Sequence, residues 1–237
     1  MRGMYCVGFG EPARRCAVRA IESFKRHMPG VEVAFAGVQR LGPEDVFIKT
    51  PDSDIGGRRA KLLAYRNTPE RWKSVLYLDA DTETVADVGF LYRVVEDGWE
   101  LAICRNPAHY HTVRRMERPD NKVEVAETLS VLGSDELIQY NGGVFAFHRS
   151  ERVQKFFDTW LAEWERWGAR DQAALLRALW AVPLRVYLLG SEWNTVTRYL
   201  PREASAGILH YPTEARRWEG SVHGRIDSDA AWEKVSR

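Results

Sequence analysis

Short apolar runs of strand type alternate along this chain with amphipathic stretches of helical spacing, and that alternation limits the fold more than any other feature. The strand-type runs are MYCVGFG (4–10), VEVAFAG (31–37), SVLYLDA (74–80), WELAICR (99–105), IQYNGGVFAFHRS (138–150) and LRVYLLG (184–190). Between them lie segments with helix signals. Residues 11–30 carry Pro12 near the start and Pro29-Gly30 as the stop, with Ala17, Ala20, Ile21 and Phe24 at helical spacing. Residues 56–67, 87–98, 123–133, 151–168 and 171–180 also read as helices. The pattern predicts an α/β fold with a largely parallel central sheet flanked by helices. No repeat or linker divides the 237 residues, so one domain is expected.

Charge and cysteine content narrow the function classes. A net charge of +1 gives no whole-molecule attraction to nucleic acid or acidic membranes. No stretch reaches membrane-spanning length and the N-terminus has no apolar targeting core, so a cytoplasmic protein is expected. Cys6, Cys16 and Cys104 are odd in number and lack metal-type spacing; Cys6 and Cys104 read as buried thiols. Phe156, Phe157, Trp160, Trp164 and Trp167 line one side of the helix at 151–168, a stripe expected in the core or at an interface, including one between copies of the chain.

The stretch VLYLDADTE (75–83) raises the chemical question. Four apolar residues end at Asp79 and Asp81, separated by Ala80. Two carboxylates so close repel unless a positive charge joins them. In open α/β sheets ligands bind beyond the carboxyl ends of strands, and paired carboxylates there suit Mg²⁺ or Mn²⁺ completed by substrate phosphates. A solvated turn with two incidental acids is the competing reading.

Several further motifs recur in a fixed order: AKLLAYRN before the aspartates, then YNGGVFAF, DQAALL and LHYPTEARRW. Together with VLYLDAD this series resembles GT-A glycosyltransferases, and is most similar to the retaining family that contains glycogenin and bacterial lipopolysaccharide galactosyltransferases. The resemblance runs from residue 4 to about residue 218 in short motifs. It implies a single Rossmann-like GT-A domain, with residues 1–100 as the nucleotide-binding half that includes the DxD and 101–237 as the acceptor-side half with a C-terminal metal and diphosphate motif. It also implies a nucleoside-diphosphate-sugar donor, UDP-linked, and Mn²⁺ or Mg²⁺.

By position, the resemblance gives Asp79 and Asp81 as the family's DxD, with His210 as the third metal ligand. Arg58 and Lys61 correspond to a basic helix that contacts the donor; a solvated basic face is the bland alternative. Asn141 would bond the sugar or acceptor, with Gly142 and Gly143 leaving room, although a glycine pair in a strand also marks a bulge. Asp171 would bind sugar hydroxyls and Gln172 would face the reacting side of the sugar; Asp171 as a first-turn helix acid is the alternative. Gly8, Phe9 and Gly10, at the end of the first strand, would receive the nucleotide. The C-terminal motif departs from the family's HYxGxxKPW, with Thr213, Arg216 and Arg217 at the glycine, lysine and proline positions. Arg216 would still pair with phosphate oxygens.

A haloacid-dehalogenase-type phosphohydrolase also places DxD after a strand, but wants Thr or Val where this chain has Glu83. A glycoside hydrolase needs its carboxyls on opposite sides of the sugar. A non-catalytic sugar-nucleotide binder would keep the fold without turnover. The acceptor is open among glycan, lipid-linked glycan, protein and DNA. The basic segment 105–122, with Arg105, Arg114, Arg115, Arg118 and Lys122 around His109, Tyr110 and His111, is compatible with a polyanion such as DNA carrying hydroxymethylated bases, or with a solvated loop.

Overall fold

A computed structural model describes residues 1–50, 58–106, 112–117, 121–168, 171–197 and 205–211. A seven-stranded sheet runs in the order β3-β2-β1-β4-β7-β6-β8. Its strands are β1 (Arg2–Val7), β2 (Glu32–Gly37), β3 (Val46–Lys49), β4 (Ser74–Asp79), β6 (Leu101–Arg105), β7 (Tyr140–His148) and β8 (Val186–Leu189). A small second sheet holds β5 (Thr82–Thr84), β10 (Ile208–His210) and β9 (Thr195–Val196) in that order. The predicted α/β class holds.

Alternation along the strands builds two cores. Met4 and Cys6 of β1, with Leu76 and Leu78 of β4, face α1 (Glu11–His27) and α4 (Gly89–Glu96). Tyr5, Val7, Val75 and Tyr77 face the opposite way, toward α2 (Arg58–Leu62), α3 (Ala64–Asn67), α6 (Glu151–Trp167) and α7 (Asp171–Ala181). The aromatic stripe of α6 belongs to this second core: Phe156, Phe157, Trp160 and Trp164 are buried, and Trp167 is half-buried. A third, smaller cluster joins α5 (Lys122–Leu132) to α7 through Val125, Leu132, Ala173 and Leu176. The three cysteines are free and buried.

Local signals explain the helix ends. Gly10 takes φ 75° ahead of α1, whose last turn carries Lys25, Arg26 and His27 against the negative helix end. The Ser150 side chain caps α6 by accepting from the Val153 amide, and Gly168 closes that helix at φ 65°. Among the described residues, no helix is long and apolar enough to cross a membrane.

One strand departs from the parallel pattern in a way that matters for function. β7 runs antiparallel to both β4 and β6, with Leu78 opposite Val144. Its N-terminal residues therefore lie beside the carboxyl end of β4. The β6 pairing slips between Ile103 and Cys104, so that Cys104 faces Asn141 while Ile103 faces Phe145. The glycine pair thus sits in a pairing irregularity, as the bulge reading expects, and at the mouth of β4 as well.

Candidate active site

Asp79 ends β4, and the chain turns at once into β5. The turn is tied at both sides: Thr82 Oγ1 donates to the Asp79 carbonyl at 2.8 Å, and the Tyr211 amide donates to the Asp81 carbonyl at 2.8 Å. β10 pairs antiparallel with β5, placing His210 opposite Thr82. That pairing brings the histidine back to a turn 128 residues earlier, measured by the Tyr211 hydroxyl that donates to Glu83 at 2.8 Å.

One ligand atom from each of Asp79, Asp81 and His210 falls in a group spanning no more than 4.8 Å. Ligands about 2.1 Å from a six-coordinate ion lie about 3 to 4 Å apart, so a small contraction of this group would close on Mg²⁺ or Mn²⁺. Two carboxylates and an imidazole are a suitable donor set for Mn²⁺. Tyr77 donates to Asp79 Oδ1 at 2.6 Å and fixes that carboxylate from below.

The imidazole is oriented by a chain of groups whose polarity follows from one backbone amide. Gly143 N donates to Asn141 Oδ1 at 2.9 Å, so that atom is oxygen. Asn194 Nδ2 donates to the same oxygen at 3.0 Å, which turns Asn194 Oδ1 toward His210 Nδ1 at 2.9 Å. Nδ1 must then carry the hydrogen, and Nε2 is the nitrogen that faces Asp81 Oδ1, at 3.4 Å. Holding one ring nitrogen as a donor leaves the other to ligate a metal. Burial disfavours the imidazolium, but the hydrogen bond and charge of Asp81, with Asp79 behind it, outweigh burial and raise its proton affinity. A cation is wanted here, whether proton or metal.

A second charged group adjoins the first. Lys61 Nζ, on α2, lies 3.0 Å from Asp171 Oδ2 and 3.3 Å from Asp79 Oδ1. Burial opposes the ammonium, yet the two carboxylates hold its pKa above the ordinary lysine value. Burial likewise opposes the Asp171 carboxylate, and Lys61 with Arg58 brings it below the usual range. A side chain on Gly142 would meet Asp171 Oδ2 at 3.4 Å and Lys61 Nζ at 3.6 Å, ordinary contact distances. On Gly143 it would strike the His210 ring and come within 3.0 Å of Asp79 Oδ2. The first glycine leaves space; the second is required by close packing of the ligand group.

The structure thus assembles Asp79, Ala80, Asp81, His210, Lys61, Asp171, Gly142, Gly143 and Asn141 around one locus, with Gln172 following Asp171 in the first turn of α7. Lys61 bonds to carboxylates of the site itself. Arg58 is exposed at the start of α2 and acts on Asp171 through its charge. Gly8 and Phe9 follow β1, whose Val7 pairs with Asp79; Gly8 packs near Ala13 and Phe35, and Phe9 is half-buried. Arg216 lies outside the described residues, as do 107–111 and 118–120 of the basic segment. Of that segment, Arg105, Arg115 and Lys122 are exposed, and Arg114 pairs with Asp135.

Sequence reasoning missed Tyr77, Asn106, Gln139 and Asn194. Gln172 Nε2 donates to Asn106 Oδ1 at 3.2 Å, and Asn106 Nδ2 donates to Gln139 Oε1 at 2.8 Å. Tyr77 could have been found, because a residue two before Asp79 on a strand shares its face. The amides at strand ends carry no signal that separates them from loop residues.

No protein-family model matches the chain, and no curated protein matches it in sequence. Solved structures do match. The galactosyltransferase LgtC, in complex with donor and acceptor sugar analogs, superposes with TM-score 0.62 at 16% identity, covering 100% of this chain and 94% of that one. Another LgtC structure carries an active-site glutamine-to-glutamate mutation and covers the same shares at TM-score 0.60 and 16% identity. GlyE, a glycosyltransferase of Streptococcus pneumoniae TIGR4, gives TM-score 0.63 at 18% identity, with 100% of this chain and 61% of that chain covered. Mouse xyloside xylosyltransferase 1 gives 0.57 at 14% identity, over 90% of this chain and 99% of that one. The likeness is one of fold, and the fold is GT-A.

Proposed function

We propose that this GT-A chain is a metal-dependent glycosyltransferase, moving a sugar from a nucleoside-diphosphate sugar, UDP-linked, to a hydroxyl acceptor with retention at the anomeric carbon. The observation that carries the reading is the Asp79–Asp81–His210 ligand group beside the Lys61–Asp171 pair, at the carboxyl end of β4. One locus thereby offers a cation site and sugar-binding carboxylate together.

Roles follow from chemistry. Asp79, Asp81 and His210 would hold Mn²⁺ or Mg²⁺, which when bound supplies Lewis-acid stabilisation of the departing diphosphate. Lys61 holds Asp79 and Asp171 in place, and keeps Asp171 ionised, before any ligand arrives. Asp171 accepts hydrogen bonds from sugar hydroxyls across the space that Gly142 leaves. Asn141, whose oxygen already takes two hydrogen bonds, presents its Nδ2 as a donor. Gln172 faces the reacting side of the sugar; LgtC, too, has a glutamine in its active site. Arg216 would add a guanidinium to the diphosphate, and Gly8 and Phe9 would border the nucleotide. Residues 1–100 would form the nucleotide-binding half, and 101–237 the acceptor-side half together with the C-terminal metal and diphosphate motif. Because the structural neighbours include a galactosyltransferase bound to an acceptor sugar analog and a xyloside xylosyltransferase, a sugar hydroxyl comes ahead of protein or DNA as acceptor.

Thermal melting with UDP, GDP, CDP and dTDP, each with and without Mn²⁺, tests the reading on wild type and Asp81→Asn. A ligand at a hundredfold excess over its Kd stabilises the folded state by about 2.7 kcal/mol. The expected result is a shift for UDP that needs both Mn²⁺ and Asp81. No shift with any nucleotide would overturn the assignment; a shift without turnover of any UDP-sugar would leave a binding protein instead.

A further inference from the structure

Gln172 is held by a run of buried carboxamides whose direction is set by a single backbone carbonyl. The Thr112 carbonyl can only accept, and Gln139 Nε2 donates to it at 2.6 Å. Gln139 must therefore turn Oε1 the other way, where it accepts from Asn106 Nδ2 at 2.8 Å. Asn106 in turn must present Oδ1, which accepts from Gln172 Nε2 at 3.2 Å. Each step leaves the next amide one orientation, because reversing any of them would set two acceptors or two donors against each other.

The run is rigidly seated. Asn106 is 4% exposed and Gln139 1%. The Asn106 amide donates to the Gln139 carbonyl at 2.8 Å, Thr112 bridges Ile138, and the Val113 amide donates to the Leu137 carbonyl at 3.0 Å. Residues 137–139 thus grip Asn106 and Thr112 together. Neither Asn106 nor Gln139 contacts Asp79, Asp81, His210, Lys61 or Asp171 through any hydrogen bond found among the described residues.

We infer that Asn106 and Gln139 are positioning residues that hold the Gln172 carboxamide with its nitrogen turned away and its oxygen presented to the reacting sugar. The inference rests on the transferase reading for its chemical meaning. Breaking the anomeric C–O bond leaves positive charge on the sugar. An amide oxygen stabilises that charge, whereas an amide N–H aimed at the same place opposes it. A freely rotating glutamine would offer either, so a fixed polarity raises the fraction of productive complexes.

The test uses three variants of the full chain: Gln139→Leu, Asn106→Asp, and both together. Two readouts are taken: hydrogen exchange of the Gln172 side-chain amide by ¹⁵N NMR, and UDP release from UDP-galactose and UDP-glucose with Mn²⁺ and water as acceptor. Gln139→Leu removes the acceptor that orients Asn106. Amide exchange at Gln172 is expected to quicken and kcat to fall on the order of 10- to 100-fold, with KM for the UDP-sugar little changed. Asn106→Asp keeps an acceptor toward Gln172 whichever way it rotates, so it is expected to preserve slow exchange. In the double variant the carboxylate should restore both slow exchange and most of kcat, although it has lost more hydrogen bonds than Gln139→Leu alone. A merely structural role predicts the reverse order, with the double variant worst; that order, or unchanged exchange in Gln139→Leu, would overturn the inference. If the exchange pattern holds but wild type releases UDP from no sugar nucleotide, the positioning stands and the transferase reading fails.

Discussion

Lys61 and Asp171 are 110 positions apart in sequence and 3.0 Å apart in space, ammonium to carboxylate. Both are largely shielded from water, and the same ammonium reaches Asp79. Its removal would take from both carboxylates the ammonium that lies 3.3 Å from Asp79 and 3.0 Å from Asp171. Lys61→Met is expected to destabilise the chain by about 3–5 kcal/mol, the range for breaking a buried pair. Saturating Mn²⁺ should return part of that loss, because an ion bound at Asp79 supplies positive charge to the same cluster. Urea unfolding of wild type and variant, with and without Mn²⁺, measures both effects; an equal loss in the two conditions would contradict the shared-charge account.

The two glycines of β7 make separable demands. Gly143→Ala pushes a methyl group into the His210 ring and Asp79, so Mn²⁺ binding should fall sharply, with a stability cost of about 1–3 kcal/mol from overpacking. Gly142→Ala meets its neighbours at ordinary distances, so Mn²⁺ and UDP should still bind while the UDP-sugar binds more weakly. Calorimetric titration with Mn²⁺, UDP and UDP-galactose distinguishes the two.

Asn194 touches no bound group in the proposed mechanism, yet it fixes which nitrogen of His210 carries the hydrogen. Asn194→Ala should therefore lower Mn²⁺ affinity about 10- to 100-fold with the three ligands intact. Titration of Mn²⁺ in the presence of UDP, at one pH, reads this directly. Unchanged affinity would mean that the imidazole is oriented by its packing alone.

Away from the site, Arg177 is buried among Glu163, at 2.7 Å, Thr128, at 2.6 Å, and Glu124, at 3.2 Å. Burial raises the Glu124 carboxyl above its usual range despite the opposing pull of Arg177, and its Oε2 has no hydrogen-bond partner. A carboxyl with a raised folded-state pKa binds more protons folded than unfolded. Stability therefore declines as pH rises from about 4.3, the unfolded glutamate value, to the higher folded one. Glu124→Gln should cost less than about 1 kcal/mol at neutral pH and flatten that decline, while Arg177→Met should cost about 3–5 kcal/mol. Chemical denaturation from pH 4 to pH 8 checks the pair.

The readability of this chain from sequence follows the length of the signal. Strands such as β1 and β4, and helices such as α1 and α6, have enough residues for a period to show, and their places agree with expectation. β5, β9 and β10 have three residues or fewer, too short for any period, although they bring His210 to the aspartates. The antiparallel course of β7 was equally hidden, because an apolar strand buried on both faces reads the same in either direction. Asp79, Asp81 and Asp171 stood out as charges at element boundaries. Asn106, Gln139 and Asn194 did not, since an amide that orients another amide looks in sequence like any polar residue near a loop.

The pairing of His210 with Thr82 also sets an order in time. A chain synthesised only through Leu189 already contains every strand of the seven-stranded sheet, together with Asp79, Asp81, Lys61 and Asp171. It lacks the imidazole, whose strand must close against β5 across a long stretch of chain. Such a nascent domain holds every residue of the second core, but lacks Ile208, Leu209 and Tyr211 of the first as well as the imidazole of its ligand group. Closure of the Asp79–Asp81–His210 group therefore has to wait for the last described strand to be made, after every strand of the large sheet.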